Sequence, residues 1–168
     1  MQVFIYRDRG FTRELTQRAR DAGCQALVLT IDNQLLGKRE RDIANGFSIP
    51  PRFSARQWLA MAPKWRWAWA MRNELSTLTF GNYVREGHAE SLATLAGRMA
   101  SLLDPAMNWD DVARLRDEWR GPLLIKGVLH PTEAKRALTL GIDGLIVSNH
   151  GGRQLDGATS SVEALPAI

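Results

Sequence analysis

Cysteine and long apolar runs are scarce in this sequence, and each shortage excludes a class of protein. The single cysteine among 168 residues, Cys24, excludes an internal disulfide and a cysteine-based zinc site. A reducing compartment is therefore the default, and we expect a cytoplasmic protein. Because no uninterrupted apolar run approaches ~18 residues and no basic-then-apolar leader opens the chain, we expect neither a spanning helix nor secretion.

A strong charge of one sign is also missing. The chain has 22 Lys and Arg against 18 Asp and Glu, a net charge of +4, so charge gives no reason to expect a nucleic-acid partner. It is 45% hydrophobic and 24% charged, which is the composition of a folded protein rather than a disordered one. The length suits one domain with a core of ordinary size.

The chain does contain an alternation of apolar strands and amphipathic helices. Four short apolar runs predict strands that are buried on both faces, as in a parallel α/β sheet built from βα units. Polar residues follow most of these runs, as they do around the site of a TIM (β/α)8 barrel or a doubly wound sheet. No G-x-G-x-x-G motif follows any strand, which disfavours a dinucleotide-binding sheet. The predicted strands cover residues 2–6, 26–32, 122–127 and 144–148, and the predicted helices cover 11–22, 108–121, 130–141 and a last segment from 160.

Residues 33–107 form an insertion that is too long for an ordinary βα loop. Within it, residues 52–73 are rich in tryptophan, and positions 52 to 72 hold five basic residues and no acidic one. At helical pitch Trp58, Met61, Trp65 and Trp69 share one face, although Pro63 interrupts a continuous helix. Two interpretations of this segment are open, which are packing in a core or interface and docking on an anionic membrane surface. A third, stacking on nucleic acid, has the least support.

The stretch SNHGGRQLDG, residues 148–157, combines an imidazole, a guanidinium and a carboxylate with glycines. Imidazole is the usual general base near neutral pH, which makes His150 a candidate base. Arg153 offers a planar fork of donors for a carboxylate, and Asp32, at the end of another predicted strand, is placed to steady a protonated His150. The alternative is a surface or capping histidine in a glycine-rich turn.

Two further basic residues have an ordinary explanation and a functional one. Lys126, at the end of LLIKG, is either a rim lysine that reaches solvent or a cation that stabilises negative charge on a cofactor. Arg39 lies in the run KRERD, for which a solvated charge cluster is the simplest interpretation. The residues alone leave both alternatives open.

Several stretches together resemble the FMN-dependent α-hydroxy acid oxidases and dehydrogenases, which include glycolate oxidase, flavin-dependent L-lactate dehydrogenase and mandelate dehydrogenase. These stretches are SNHGGRQLDG after an IVS strand, IKGVL, LTID followed by GKRERD, and QVFIYRDR. SNHGGRQLD is the most specific, and the resemblance extends over nearly the whole chain. APKWRWAWAM is most similar to the membrane-associated lactate and mandelate dehydrogenases, which implies peripheral contact with the inner face of the membrane through residues 52–73.

The resemblance implies a (β/α)8 barrel with FMN at its C-terminal mouth, of which this chain holds about strands 3 to 6. It also implies a homotetramer for a full-length protein. By resemblance, His150 takes a proton from the substrate with Asp32 as its partner, while Arg39 and Arg153 bind the substrate carboxylate. Lys126 stabilises the anionic reduced flavin. The implied flavin contacts are Gln2, Thr30, Lys126 and Ser148.

Two features depart from the family pattern. The family's strand usually reads Q-x-Y, with a tyrosine that hydrogen-bonds the substrate, whereas this chain has Gln2, Val3 and Phe4 and lacks that hydroxyl. The chain also holds half of a barrel, without the arginine- and glycine-containing loops that bind the FMN phosphate in the family. We therefore expect weak FMN binding.

The leading hypothesis is FMN-dependent oxidation of an L-2-hydroxy acid, lactate- or mandelate-like, to the 2-oxo acid by a truncated chain. The alternative is an inactive half-barrel, from a decayed or split gene, that acts only by pairing with another chain. The joint presence of His150, Arg153 and Asp32 disfavours a third option, another flavin barrel such as an isomerase.

Overall fold

The structure, a computed structural model, describes residues 1–33, 37–46, 54–74, 81–83 and 101–168. The chain divides into two compact units, one formed by Met1–Lys38 with Ser101–Ile168 and the other by Arg39–Ala100. The second unit falls inside the predicted insertion. Positions 52 and 53 of the tryptophan-rich segment lie outside the described residues.

Strands and helices alternate along the first unit. The strands are β1 (Gln2–Val3), β2 (Leu27–Thr30), β3 (Leu123–Val128) and β4 (Gly144–Val147). The described helices of the whole chain, of which α2 to α4 belong to the second unit, are α1 (Arg9–Asp21), α2 (Glu40–Ala44), α3 (Ala55–Met61), α4 (Trp65–Met71), α5 (Trp109–Glu118), α6 (Pro131–Thr139) and α7 (Ser161–Ala164). Short 3₁₀ turns cover Ala62–Lys64, Gly81–Tyr83, His150–Gly152 and Leu165–Ala167.

The four strands form one parallel sheet in the order β1-β2-β3-β4, so each strand lies beside the next one along the chain. Val3 pairs with Leu29, Leu29 with Ile125 and Ile125 with Leu145. A doubly wound sheet reverses its strand order at a switch point, whereas a (β/α)8 barrel keeps the order of the chain. The observed order is that of consecutive barrel strands, which confirms the predicted parallel α/β fold.

The core lies between the sheet and the helices that cover one of its faces. Leu27, Leu29, Leu123 and Ile125 are fully buried, and each such side chain contributes about 1.5–3 kcal/mol relative to exposure. The helix residues in the same cluster include Ala19, Val112, Leu115, Ala134 and Ala137. This packing holds the strands, and therefore the polar residues at their carboxyl ends, in a fixed order.

Side chains cap the helices of the first unit where the sequence favours it. Asp8 accepts hydrogen bonds from backbone N–H groups at the start of α1, and His130 does the same for α6. Asn108 and Asp111 form a reciprocal capping box at the start of α5. The cap at Asn108 agrees with the start of the predicted helix 108–121, while α1 begins at Arg9 rather than at residue 11 because Asp8 provides an earlier cap.

The first strand is shorter than its apolar pattern predicts. It ends at Val3, and Tyr6 then forms an isolated antiparallel bridge with Leu103. Tyr6 is buried, with its ring centroid 5.1 Å from that of Phe11 and 6.2 Å from that of Phe4. The prediction of a strand as far as Tyr6 is wrong because these residues leave the sheet and pack against α1.

The second unit carries the tryptophans on its surface. Pro63 lies in the 3₁₀ turn between α3 and α4, where the sequence predicts an interruption, and Ser54 caps α3 in a capping box with Gln57. Across the described ranges, no helix is long and apolar enough to cross a membrane. The tryptophans of α3 and α4, each between 54% and 65% exposed, are Trp58, Trp65, Trp67 and Trp69.

Candidate active site at the strand ends

Asp32 and His150, which are 118 residues apart, meet at the carboxyl end of the sheet. His150 Nδ1 lies 2.7 Å from Asp32 Oδ2, and the two side chains are 26% and 15% exposed. Asp32 follows β2 and His150 follows β4, so the contact spans the end of β3 between them. A short contact between an imidazole and a carboxylate, open to solvent on one side, is the geometry of a carboxylate-supported base.

The backbone at His150 adopts a conformation that few side chains favour. Its φ is +58°, in the left-handed region, which costs a residue other than glycine about 1–2 kcal/mol. The loop is held by local bonds, because the His150 N–H donates to Ser148 Oγ at 3.2 Å and the Gly151 N–H to Asn149 Oδ1 at 3.0 Å. Asn149 Nδ2 donates in turn to the backbone oxygen of Thr159. Strain of this kind, kept in place by surrounding bonds, is typical of functional loops.

The contact with Asp32 defines which ring nitrogen of His150 is available for chemistry. In the neutral imidazole, Nδ1–H donates to the carboxylate, and Nε2 is left with the lone pair. Lys126 Nζ lies 3.5 Å from the same Nδ1, a distance at which the ammonium adds positive charge near the ring. Nε2 is therefore the atom of His150 that can accept a proton from a ligand.

Gln154 joins the loop after β4 to the end of β2. Its Nε2 donates to the backbone oxygen of Asp32 at 3.1 Å and to Asn33 Oδ1 at 2.5 Å. Asp32 Oδ1, by contrast, is buried and accepts no hydrogen bond from the described residues. Sequence reasoning missed Gln154, although its place four residues after His150 within GGRQLD is a signal for it.

The residues that the resemblance assigns to a flavin lie along the same strands. Gln2 Nε2 donates to Thr30 Oγ1 at 2.6 Å, across the pair β1 and β2. Thr30 is 2% exposed, so in this structure its hydroxyl orients the exposed Gln2 amide. Lys126 and Ser148 are half-buried near His150, at the ends of β3 and β4. These four residues thus provide an amide, two hydroxyls and an ammonium on four neighbouring strands.

The two arginines assigned to a substrate carboxylate lie in different units. Arg153 is exposed in the His150 loop, and its backbone N–H donates to the His150 oxygen at 3.3 Å. Arg39 belongs to the second unit, where it directly precedes α2. Tyr6, the tyrosine nearest in sequence to Phe4, is buried with its ring centroid 5.1 Å from that of Phe11. The roles of both arginines stay predictions.

Comparisons with known proteins agree on one family. A family model described as FMN-dependent dehydrogenase matches residues 1–168. The chain is 46% identical over 168 residues to an L-lactate dehydrogenase of Caulobacter vibrioides, an alignment that covers 99% of this chain and 44% of that protein. It is similar to the crystal structure of the monotopic membrane protein (S)-mandelate dehydrogenase, with 36% identity and a TM-score of 0.88 over 96% of this chain and 43% of that one. A mandelate oxidase structure has 32% identity and a TM-score of 0.66, over 98% of this chain and 38% of that one.

The extent of these matches is also informative. The chain spans less than half the length of each of the three relatives, while almost all of its own residues are matched. The matched part contains the sheet and the loop of His150.

Proposed function

Because the chain belongs to the FMN-dependent dehydrogenase family, we propose that it carries the proton-accepting part of an enzyme that oxidises an L-2-hydroxy acid to the 2-oxo acid. The observation that carries this proposal is the 2.7 Å contact between His150 Nδ1 and Asp32 Oδ2. It engages Nδ1 and leaves the lone pair of Nε2 available as a base. The names of the relatives, L-lactate dehydrogenase and (S)-mandelate dehydrogenase, favour a lactate- or mandelate-like substrate.

The residues at the strand ends fit FMN. An isoalloxazine ring presents carbonyl oxygens and ring nitrogens along one edge, which need donors such as the Gln2 amide, the Ser148 hydroxyl and the Lys126 ammonium. The hydrogen bond from Gln2 to the buried Thr30 already holds that amide in one orientation, so less side-chain entropy is lost on binding. When bound, FMN supplies the two-electron acceptor for the oxidation.

The chain's own residues then divide the remaining work. His150 accepts a proton from the 2-hydroxy acid at Nε2, and the Asp32 carboxylate stabilises the imidazolium that results. Arg153 binds the substrate carboxylate through its guanidinium group, a role that the family resemblance also assigns to Arg39. Lys126 would help to hold the flavin and would supply a positive charge that stabilises negative charge on it.

Flavin binding and reduction test this proposal directly. We expect FMN fluorescence to be quenched on titration with the chain, with weak affinity, and the bound flavin to be bleached anaerobically by L-lactate or (S)-mandelate. D-Lactate and (R)-mandelate serve as matched controls that should leave the flavin oxidised. Tight FMN binding without reduction by a panel of L-2-hydroxy acids would contradict the proposed function.

We further propose that the tryptophan-rich segment rests on a membrane surface. The exposed rings of Trp65, Trp67 and Trp69 are accompanied by basic side chains, and Arg72 stacks on Trp69 with its guanidinium carbon 4.1 Å from the ring centroid. Aromatic rings at the headgroup layer and cations near anionic lipid form the usual interfacial pattern. The monotopic character of the related (S)-mandelate dehydrogenase supports the same location.

The open edges of the sheet favour a second candidate function, which is assembly with another chain. Within the described residues, β1 pairs only with β2 and β4 only with β3, so each outer strand has one unpaired side. Such edges allow the chain to act as one part of a larger barrel. Sedimentation of the purified chain, alone and mixed with the remainder of a full-length relative, distinguishes a monomer from a complementing pair.

A further inference from the structure

Gly127 occupies an irregular point of β3, next to the candidate active site. Lys126 pairs with Ile146 and Val128 with Val147, so β3 advances two residues while β4 advances one. Gly127 is the extra residue of this β-bulge, and its φ of +105° is a conformation that glycine adopts without steric cost. Bulges of this kind commonly change the direction of a neighbouring side chain at the end of a sheet.

The space beside Gly127 is filled by the carboxyl group of Asp32. A Cβ atom at position 127 would lie 2.6 Å from Asp32 Cγ, 2.7 Å from its Cβ and 2.9 Å from its Oδ1. Carbon atoms in ordinary contact are about 3.5–4.0 Å apart, so any side chain here collides with Asp32. The orphaned Oδ1 of Asp32 thus faces a position that only a hydrogen atom can occupy.

Asp32 cannot simply move aside without losing its contacts. Its Oδ2 is in contact with His150 Nδ1 at 2.7 Å, and its backbone oxygen accepts from Gln154 at 3.1 Å. The backbone beside it is fixed as well, because the Ile31 N–H donates to the Lys126 oxygen at 2.9 Å. A methyl group at position 127 therefore separates the carboxylate from the imidazole.

We propose that Gly127 is a positioning residue, whose missing side chain allows the Asp32 carboxylate to lie against His150 and hold its Nδ1–H. The importance of this positioning for catalysis rests on the proposed function. Gly127 acts through Asp32 and touches neither substrate nor flavin in this scheme. It also accounts for a glycine in IKGVL that the assignment of flavin and substrate contacts leaves unexplained.

The test compares Gly127→Ala with Gly141→Ala. Gly141 also has a positive φ, +68°, but nothing lies within 4 Å of the position of its Cβ, so its variant reports the effect of backbone conformation without a collision. Long-range ¹H–¹⁵N NMR spectra of the chain in mildly alkaline buffer give the ratio of the two neutral tautomers of His150. We expect Nδ1–H to dominate in the native chain and in Gly141→Ala, and the ratio to fall about fivefold in Gly127→Ala, as for the loss of one ordinary hydrogen bond.

A folded Gly127→Ala chain with the native tautomer ratio would overturn the proposal. The second measurement is a thermal unfolding cycle with Asp32→Gly, which removes the three atoms that lie nearest to the new methyl group. We expect the loss of melting temperature caused by Gly127→Ala to be clearly smaller in the Asp32→Gly background. An equal loss in both backgrounds, or failure of both chains to fold, attributes the effect to backbone conformation alone and contradicts the proposal. Neither readout requires turnover, so the inference can fail while the proposed oxidation stands, and the reverse.

Discussion

His150 Nδ1 lies 2.7 Å from Asp32 Oδ2 across the end of β3, which separates the strands that the two residues follow. The relationship depends on the parallel sheet, because parallel strands deliver their carboxyl ends to one edge. The backbone of His150 at this contact is in the left-handed region, with a φ of +58°. The chemistry proposed for this chain follows from that pair.

Replacement of His150 by glutamine should abolish proton transfer while leaving the fold intact. A positioned general base contributes about 10²–10⁴-fold to a rate, so we expect flavin reduction by L-lactate or (S)-mandelate to fall by that factor. Asp32→Asn should slow reduction as well, because an amide stabilises the imidazolium less than a carboxylate does. Anaerobic stopped-flow absorbance measures both rates at saturating FMN.

The matched control for this experiment is His130→Gln. His130 caps α6 through its Nδ1, which accepts from the Thr132 N–H, and it lies outside the candidate site. We expect its reduction rate to remain native. An unchanged rate in His150→Gln would exclude this histidine as the base.

Replacement of Gln154 by leucine should loosen the junction between the His150 loop and β2. The amide donates to Asp32 and Asn33, and loss of these bonds costs about 1–2 kcal/mol of unfolding free energy. Urea denaturation measures the change. Gln17→Leu removes two exposed hydrogen bonds on α1, one donated to Asp21 and one accepted from Arg20, and should change stability by less than about 0.5 kcal/mol. If the two variants lost equal unfolding free energy, Gln154 would have no special role at the junction.

Acid should weaken the contact between α1 and α5 through Asp111. Burial alone would raise the pKa of this carboxyl, but hydrogen bonds from Arg114, the Asn108 backbone N–H and Arg9 outweigh it and hold the pKa below its usual range. A depressed pKa in the folded state stabilises the fold above the unfolded value of about 3.9, and this stabilisation is lost as the pH falls through the folded value. Unfolding free energy should therefore decline below about pH 4.

The variant that isolates this effect is Asp111→Asn. We expect it to lower the unfolding free energy by about 1–3 kcal/mol at neutral pH, because charged hydrogen bonds are lost in a buried position. The difference in unfolding free energy between the variant and the native chain should shrink as the pH is lowered. Asp110→Asn removes the same charge from the same helix turn at an exposed position, and its cost should be small at every pH. If Asp111→Asn lowered the unfolding free energy equally at every pH, Asp111 would not be the source of the acid sensitivity.

Replacement of Trp65, Trp67 and Trp69 by serine should reduce sedimentation with anionic vesicles by about tenfold or more, because three large apolar rings no longer enter the headgroup layer. High salt should weaken binding of the native chain as well, since exposed charges are screened. The control is Leu138→Ser with Val162→Ser, which removes exposed apolar side chains of the first unit. Equal binding of the tryptophan variant and the native chain would exclude this surface as the membrane contact.

Much of the fold could be predicted because its signals are local. Apolar runs marked all four strands, and the predicted bounds of the helices 11–22, 108–121 and 130–141 lie within a few residues of those of α1, α5 and α6. The prediction of a strand as far as Tyr6 was wrong because a run of β-prone aromatic residues packs equally well in a sheet and against a helix. Only the packing of Tyr6 against Phe11 selects between them.

The candidate site could be predicted only in its types of residue. The motif around His150 and the polar end of β2 indicated a base and a carboxylate, and the resemblance supplied their roles. Gln154 and Gly127 were missed, because their importance lies in what they touch across the sheet: the backbone oxygen of Asp32 for one, and the space of its carboxylate for the other.

Local sequence patterns were therefore sufficient for the alternation of strands and helices, the parallel sheet and the presence of a histidine–arginine loop, since each follows from residues close in the chain. The tertiary structure decided which ring nitrogen of His150 faces Asp32, how Gln154 ties the loop to β2, and why position 127 is glycine. Those features are contacts between residues 95 to 122 positions apart. They exist only after the strands have been brought side by side, because hydrophobic burial sets the order of the strands and the strand ends then share one edge.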